Sequence, residues 1–133
     1  MNTLKVNPDL RVVYDHCMKP QIRDQRAGAD AFSIWAEGMA RLAGETAGAC
    51  KLSGLVTEAD AGWSVDDLRP FAEHVLKVFG PDRVMWGSDW PVCRLQAEYD
   101  LWLATAQTLT AGLSVKERDA VFGGAAARFY RLG

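Results

Sequence analysis

Long apolar runs, paired cysteines, blocks of like charge and glycine-rich phosphate loops are all missing from this 133-residue chain, and each absence closes a route. Although 49% of the residues are hydrophobic, no stretch approaches the roughly 18 apolar residues of a membrane span, so a soluble protein without a membrane partner is expected. The three cysteines, Cys17, Cys50 and Cys93, stand more than thirty residues apart, with no CxxC pair and an odd total. That spacing indicates neither a disulfide framework nor a zinc knuckle, and it fits a reducing cytoplasm. The 15 Lys and Arg are scattered among 17 Asp and Glu, for a net charge of −2, which argues against nucleic acid as a partner. Neither GxGxxG nor a Walker A motif occurs, and nucleotide binding loses its main support. The opening MNTLKVNPDL has no apolar h-region and no arginine-rich amphipathic pattern, so no targeting segment is expected. Repeats, low-complexity tracts and flexible linkers are absent as well. One domain over residues 1–133 follows, and a chain of that length buries roughly two-thirds of the surface it exposes when unfolded.

Three short β-like runs are present, LRVVYDH (10–16), ACKLSGLV (49–56) and RVMWGSD (83–89), each closed by polar residues or glycine. Their near-continuous apolar character is that of strands buried on both faces, hence parallel strands covered by helices. Residues 29–44 place Phe32, Trp35, Ala36, Met39 and Leu42 on one helical stripe. From Ser64 to Phe79, Ser64 and Asp67 resemble a capping box, and Pro70 predicts a short turn followed by a helix proper that starts at the proline. Residues 96–111 carry Tyr99, Trp102, Leu103, Ala106 and Leu109 on one side. Ser114 and Glu117 form a second capping box before a short helix to Phe122, and a last helix spans about 124–132. The order β-α-β-α-β-α-α-α predicts βαβ architecture, either a piece of a barrel or an open doubly wound sheet.

In both architectures function gathers at the carboxyl ends of the strands. Those ends carry His16, then Ser53 and Gly54, then Ser88 and Asp89. A carboxylate there can take a proton from an attacking water or bind a metal, with Trp90 as an apolar wall; Asp89 can equally cap the segment that follows. A neutral imidazole at His16 can ligate a divalent ion or bond a substrate carbonyl, or be a core histidine satisfied by the backbone. Lys51, inside an apolar strand, points either into a polar lumen or between strand and helix. His74, beside Glu73 in a helical stretch, reads as a surface residue. The cysteines read as small buried hydrophobes, with Cys17 and Cys93 near strand tips.

The segments DHCMKP (15–20), CKLSGLVTEA (50–59), LRPFAEHVLKVFGPDRVMWGSDWPV (68–92) and VFGGAAARFYRL (121–132) resemble the C-terminal half of amidohydrolase-related proteins. These are TIM-barrel metal-dependent hydrolases that include aldonolactonases and the pyrone dicarboxylate lactonase. The resemblance implies an α/β fold that is a partial (β/α)8 barrel, with the three strands as its sixth, seventh and eighth. It implies that Asp89 of GSDWP is the general base toward water and a metal ligand in metal-containing members. It implies that His16 orients substrate or joins a divalent metal such as zinc, and that Lys51 and Ser53 of KLSG line the pocket. The family's first-strand HxH pair is not in this sequence, and roughly half of a barrel of about 250 residues is not in view. Ala125 stands where the family's GGNAARFY has asparagine.

The expectation is therefore the C-terminal part of a hydrolase acting on a cyclic ester, a sugar-derived lactone, and inactive as this fragment. Decarboxylation by the same superfamily is the neighbouring enzyme reading. The rival from another class is a non-catalytic half-barrel that assembles with itself or with a complementing half.

Overall fold

The computed structural model describes residues 11–20, 22, 29–59, 62–88 and 99–131. The three β-like runs form one parallel sheet of β1 (Val13–Tyr14), β2 (Ala49–Leu52) and β3 (Val84–Trp86), in that order. The register pairs Val13 with Ala49, Tyr14 and Val84 with Cys50, Met85 with Lys51, and Trp86 with Leu52. Strand order follows chain order, without the reversal that a doubly wound sheet introduces. The architecture is an α/β fragment consistent with part of a barrel.

Helices α1 (Ala29–Glu45), the short α2 (Leu55–Glu58) and α3 (Val65–Phe79) lie between the strands, and α4 (Tyr99–Leu109), α5 (Val115–Asp119) and α6 (Ala125–Phe129) follow the last one. The period of two along a strand sends alternate residues to opposite faces. Tyr14, Cys50, Leu52 and Val84 enter the main core with Leu68, Phe71, Val75 and Phe79 of α3 and Met39 of α1. Val13, Ala49 and Met85 face the other way, onto Ala125, Ala126 and Phe129 of α6. Lys51 lies two residues after Ala49, on that second face, nearer the carboxyl ends of the strands.

Three elements differ from expectation. Pro70 sits inside one continuous helix, α3, instead of starting it. The Ser64–Asp67 capping box fixes the first turn, and a continuous buried face of Leu68, Phe71, Ala72, Val75, Leu76 and Phe79 offsets the one backbone bond that proline removes. The second run stops at Leu52, because Gly54 adopts φ 69° and turns Leu55–Glu58 into a short helix. The first run stops at Tyr14, because His16, Cys17, Met18 and Lys19 all take positive φ. His74 is also less of a surface residue than its neighbours suggest: its Nε2–H donates to the Ala36 carbonyl at 2.8 Å, joining α3 to α1. Arg83 locks the far end of the sheet, donating to the carbonyls of Gly48, Ala43 and Thr46 at 2.9, 3.1 and 3.0 Å.

Candidate active site

At the carboxyl ends of β1 and β2, four side chains meet. His16 Nδ1 and Ser53 Oγ share a 2.8 Å hydrogen bond, and Ser53 is fully buried. The other ring nitrogen, Nε2, lies 3.4 Å from Asp15 Oδ2. The second oxygen of the same carboxylate stands 3.9 Å from Lys51 Nζ. Asp15 thus sits between an imidazole and an ammonium. Its side chain is 59% exposed, so these ion pairs orient their partners more than they stabilise the fold.

The backbone shapes this corner. The left-handed turn at His16–Lys19, closed by the Lys19 N–H on the His16 carbonyl at 2.8 Å, uses no glycine. Each non-glycine residue there costs about 1–2 kcal/mol, a strain that persists only where surroundings dictate it. Those surroundings are specific. Cys17 is buried, its thiol donates to the Lys51 carbonyl at 3.4 Å, and its own carbonyl accepts the Trp35 indole N–H at 2.8 Å. Cys50 lies against it, and the hydrogen bond with Cys17 together with burial pushes the Cys50 thiol well above its ordinary range. Both are small buried side chains of the main core.

Two glycines leave room for the cluster. A methyl group on Gly54 would stand 2.8 Å from His16 Cγ, and one on Gly87 would stand 2.7 Å from Lys51 Cε. Gly54 is needed for its φ of 69° as well. Gly87 continues the ladder from β3, donating to the Leu52 carbonyl at 3.0 Å, and its carbonyl accepts the Trp102 indole N–H at 2.9 Å. The lysine stem therefore runs over the tip of β3.

Of the residues singled out in the sequence, His16, Ser53 and Lys51 are brought together. Asp89, Trp90 and Cys93 lie outside the described residues. Asp15, Trp35 and Gly87 take part without having been named for it, and Gly54, named at a strand end, does so by leaving room for the His16 ring. Asp15 was legible only as the neighbour of His16, and the two glycines only as strand punctuation. Nothing in the helical stripe of α1 marks Trp35 as reaching the site.

The described residues do not make up a metal centre. Among them no group of three or more His, Cys, Asp and Glu is arranged to hold a metal ion. A divalent ion such as zinc needs three or four ligands of that kind. No helix among the described residues is long and apolar enough to cross a membrane.

Comparison with known proteins gives a consistent picture. The family model described as amidohydrolase matches residues 4–132. L-fucono-1,5-lactonase from Burkholderia multivorans is 42% identical over 127 residues, which is 91% of this chain and 43% of that protein. The chain thus spans less than half the length of the curated relatives it matches. Two crystal structures of an amidohydrolase from Burkholderia multivorans, one with bound HEPES and one with bound zinc, are similar to it with TM-scores of 0.84 and 0.81. Each is 41% identical and covers 91% of this chain and 44% of the other.

Proposed function

Because the chain belongs to the amidohydrolase family, which matches it over residues 4–132, we propose that it supplies the carboxyl-terminal part of a hydrolase that opens a cyclic ester, a sugar-derived lactone. The observation that carries this reading is the 2.8 Å bond between His16 Nδ1 and Ser53 Oγ, which holds an imidazole at the strand ends beside Lys51 and Asp15. Likeness to L-fucono-1,5-lactonase at 42% identity supports the substrate class.

In the proposed reaction Asp89 takes a proton from water as the oxygen attacks the lactone carbonyl carbon. His16 positions the carbonyl and polarises it, Lys51 and Ser53 bind the oxygen-rich ring, and Trp90 walls the pocket. Collapse of the tetrahedral intermediate breaks the ring C–O bond, and the leaving oxygen regains the proton as the hydroxy acid forms. A divalent metal, as in the zinc-bound relative, has no complete ligand set among the described residues.

The test is acid release from L-fucono-1,5-lactone by the completed barrel, run beside carbon dioxide release from an aromatic carboxylic acid. Acid without carbon dioxide is the expected result. Carbon dioxide without lactone opening would move the protein to the decarboxylases of the superfamily. The chain alone is expected to turn over neither.

A second reading is favoured by the sheet itself, in which β1 and β3 each pair only with β2 among the described residues. Unpaired parallel edges invite another strand, so the chain also reads as a module that joins a complementing half-barrel or a second copy. Native mass spectrometry at micromolar concentration is expected to find a complex. A stable monomer in the presence of a candidate half would sink this reading.

A further inference from the structure

We infer that Trp35, on helix α1, is a positioning residue for His16. The argument begins with the backbone at His16, Cys17, Met18 and Lys19, whose φ angles are 50°, 51°, 60° and 50° without a glycine among them. Such a turn reverts to an extended or right-handed path unless it is held from outside. Trp35 holds it. The indole N–H donates to the Cys17 carbonyl at 2.8 Å, in the middle of the turn and one residue beyond His16.

The indole is itself fixed. Its ring lies 5.2 Å from Phe71, 5.5 Å from His74 and 5.8 Å from Phe32, centroid to centroid, so α1 and α3 together set the position of the donor. Cys17 adds a second hold from the other side, through its thiol on the Lys51 carbonyl at 3.4 Å. With Cys17 fixed at both ends, the His16 ring has one direction, toward Ser53 Oγ at 2.8 Å. Loss of the indole donor leaves a half-buried carbonyl unpaired and frees the turn. The side chain of Trp35 has no need to touch substrate. The functional weight of the inference rests on the reading of His16 as substrate-facing, whereas the positioning itself does not.

The test is Trp35→Phe in the 133-residue chain, which keeps an aromatic ring against Phe71 and His74 and removes one N–H. The chain has two histidines, so ring 15N labelling gives two imidazoles, and His16→Gln identifies the signals of His16. In the unsubstituted chain His16 is expected as one held tautomer; in Trp35→Phe its two nitrogens average. Val121→Ala, a truncation of a buried side chain that makes no hydrogen bond to the His16–Lys19 turn, is the control and leaves the His16 signals as they were. His16 signals unchanged in Trp35→Phe would overturn the proposal, as would equal averaging in the control. Should Trp35→Phe fail to fold, the unsubstituted chain still decides: slow exchange of the Trp35 indole proton supports the proposal and fast exchange overturns it. Absence of lactone turnover in the completed barrel would remove only the substrate-facing role of His16.

Discussion

Trp102→Ala is expected to destabilise the chain by about 3–5 kcal/mol, the cost of deleting a fully buried indole. Trp102 is 0% exposed, packs 6.4 Å from the Trp86 ring, and donates its N–H to the Gly87 carbonyl at 2.9 Å. The truncation removes apolar contact and leaves a carbonyl at the tip of β3 without its donor, and the second effect costs roughly 1–3 kcal/mol where the group stays buried. Against a typical stability of about 5–15 kcal/mol, a loss of this size is roughly a fifth or more of the whole. At roughly 3–5 °C per kcal/mol for a domain of this size, Tm should fall by roughly 10–20 °C. Leu101→Ala on the same helix supplies the contrast. Leu101 is 52% exposed, and its truncation should change stability by no more than about 0.5 kcal/mol. Thermal melts of both variants check the pair, and a Trp102→Ala melt within a few degrees of the parent would mean that α4 does not pack against the sheet as described.

That contrast also shows where a single sequence is informative. The spacing of Trp102, Ala106 and Leu109 marked the buried face of α4 because burial on a helix follows a period of 3.6, and all three are buried. The same logic located α1 within a residue of its observed bounds and α3 at its end, Phe79. It failed at Pro70, where the local rule against proline lost to a buried face formed over the whole helix. It failed again at Asp15–Lys19. Nothing in DHCMK marks four consecutive residues at positive φ, a path that L-residues rarely take together, and among the described residues the contacts of Cys17 with Trp35 and Lys51 help to hold it. The candidate site divides along the same line. His16 and Ser53 stood out by their place at strand ends, a consequence of parallel topology, and Lys51 as a charge inside an apolar strand. The carboxylate of Asp15 facing both His16 and Lys51 depends on that unpredicted turn, and no periodicity announces it.

Asp89→Asn, measured in the active barrel, is expected to lower kcat for lactone opening by roughly 10²–10⁴-fold, the usual contribution of a general base. The substitution keeps the size and shape of the side chain and removes its ability to accept a proton from water. Asp89 itself lies outside the described residues, so the expectation is built from what precedes it. Gly87 is tied on both sides, its N–H to the Leu52 carbonyl at 3.0 Å and its carbonyl to the Trp102 indole at 2.9 Å. Gly87 is thereby anchored at the end of the strand beside the one that carries Lys51 and Ser53. A proton acceptor there serves the hydrolytic water in the proposed reaction. Its replacement should leave Tm within a degree or two of the parent, since the anchor on Gly87 is backbone and is untouched. Circular dichroism melts and initial rates on L-fucono-1,5-lactone, taken together, separate the cases. A large fall in kcat at constant Tm supports the role; an unchanged rate assigns the base elsewhere; a fall that tracks lost stability makes Asp89 a cap for the chain that follows it, the other role its sequence position allows.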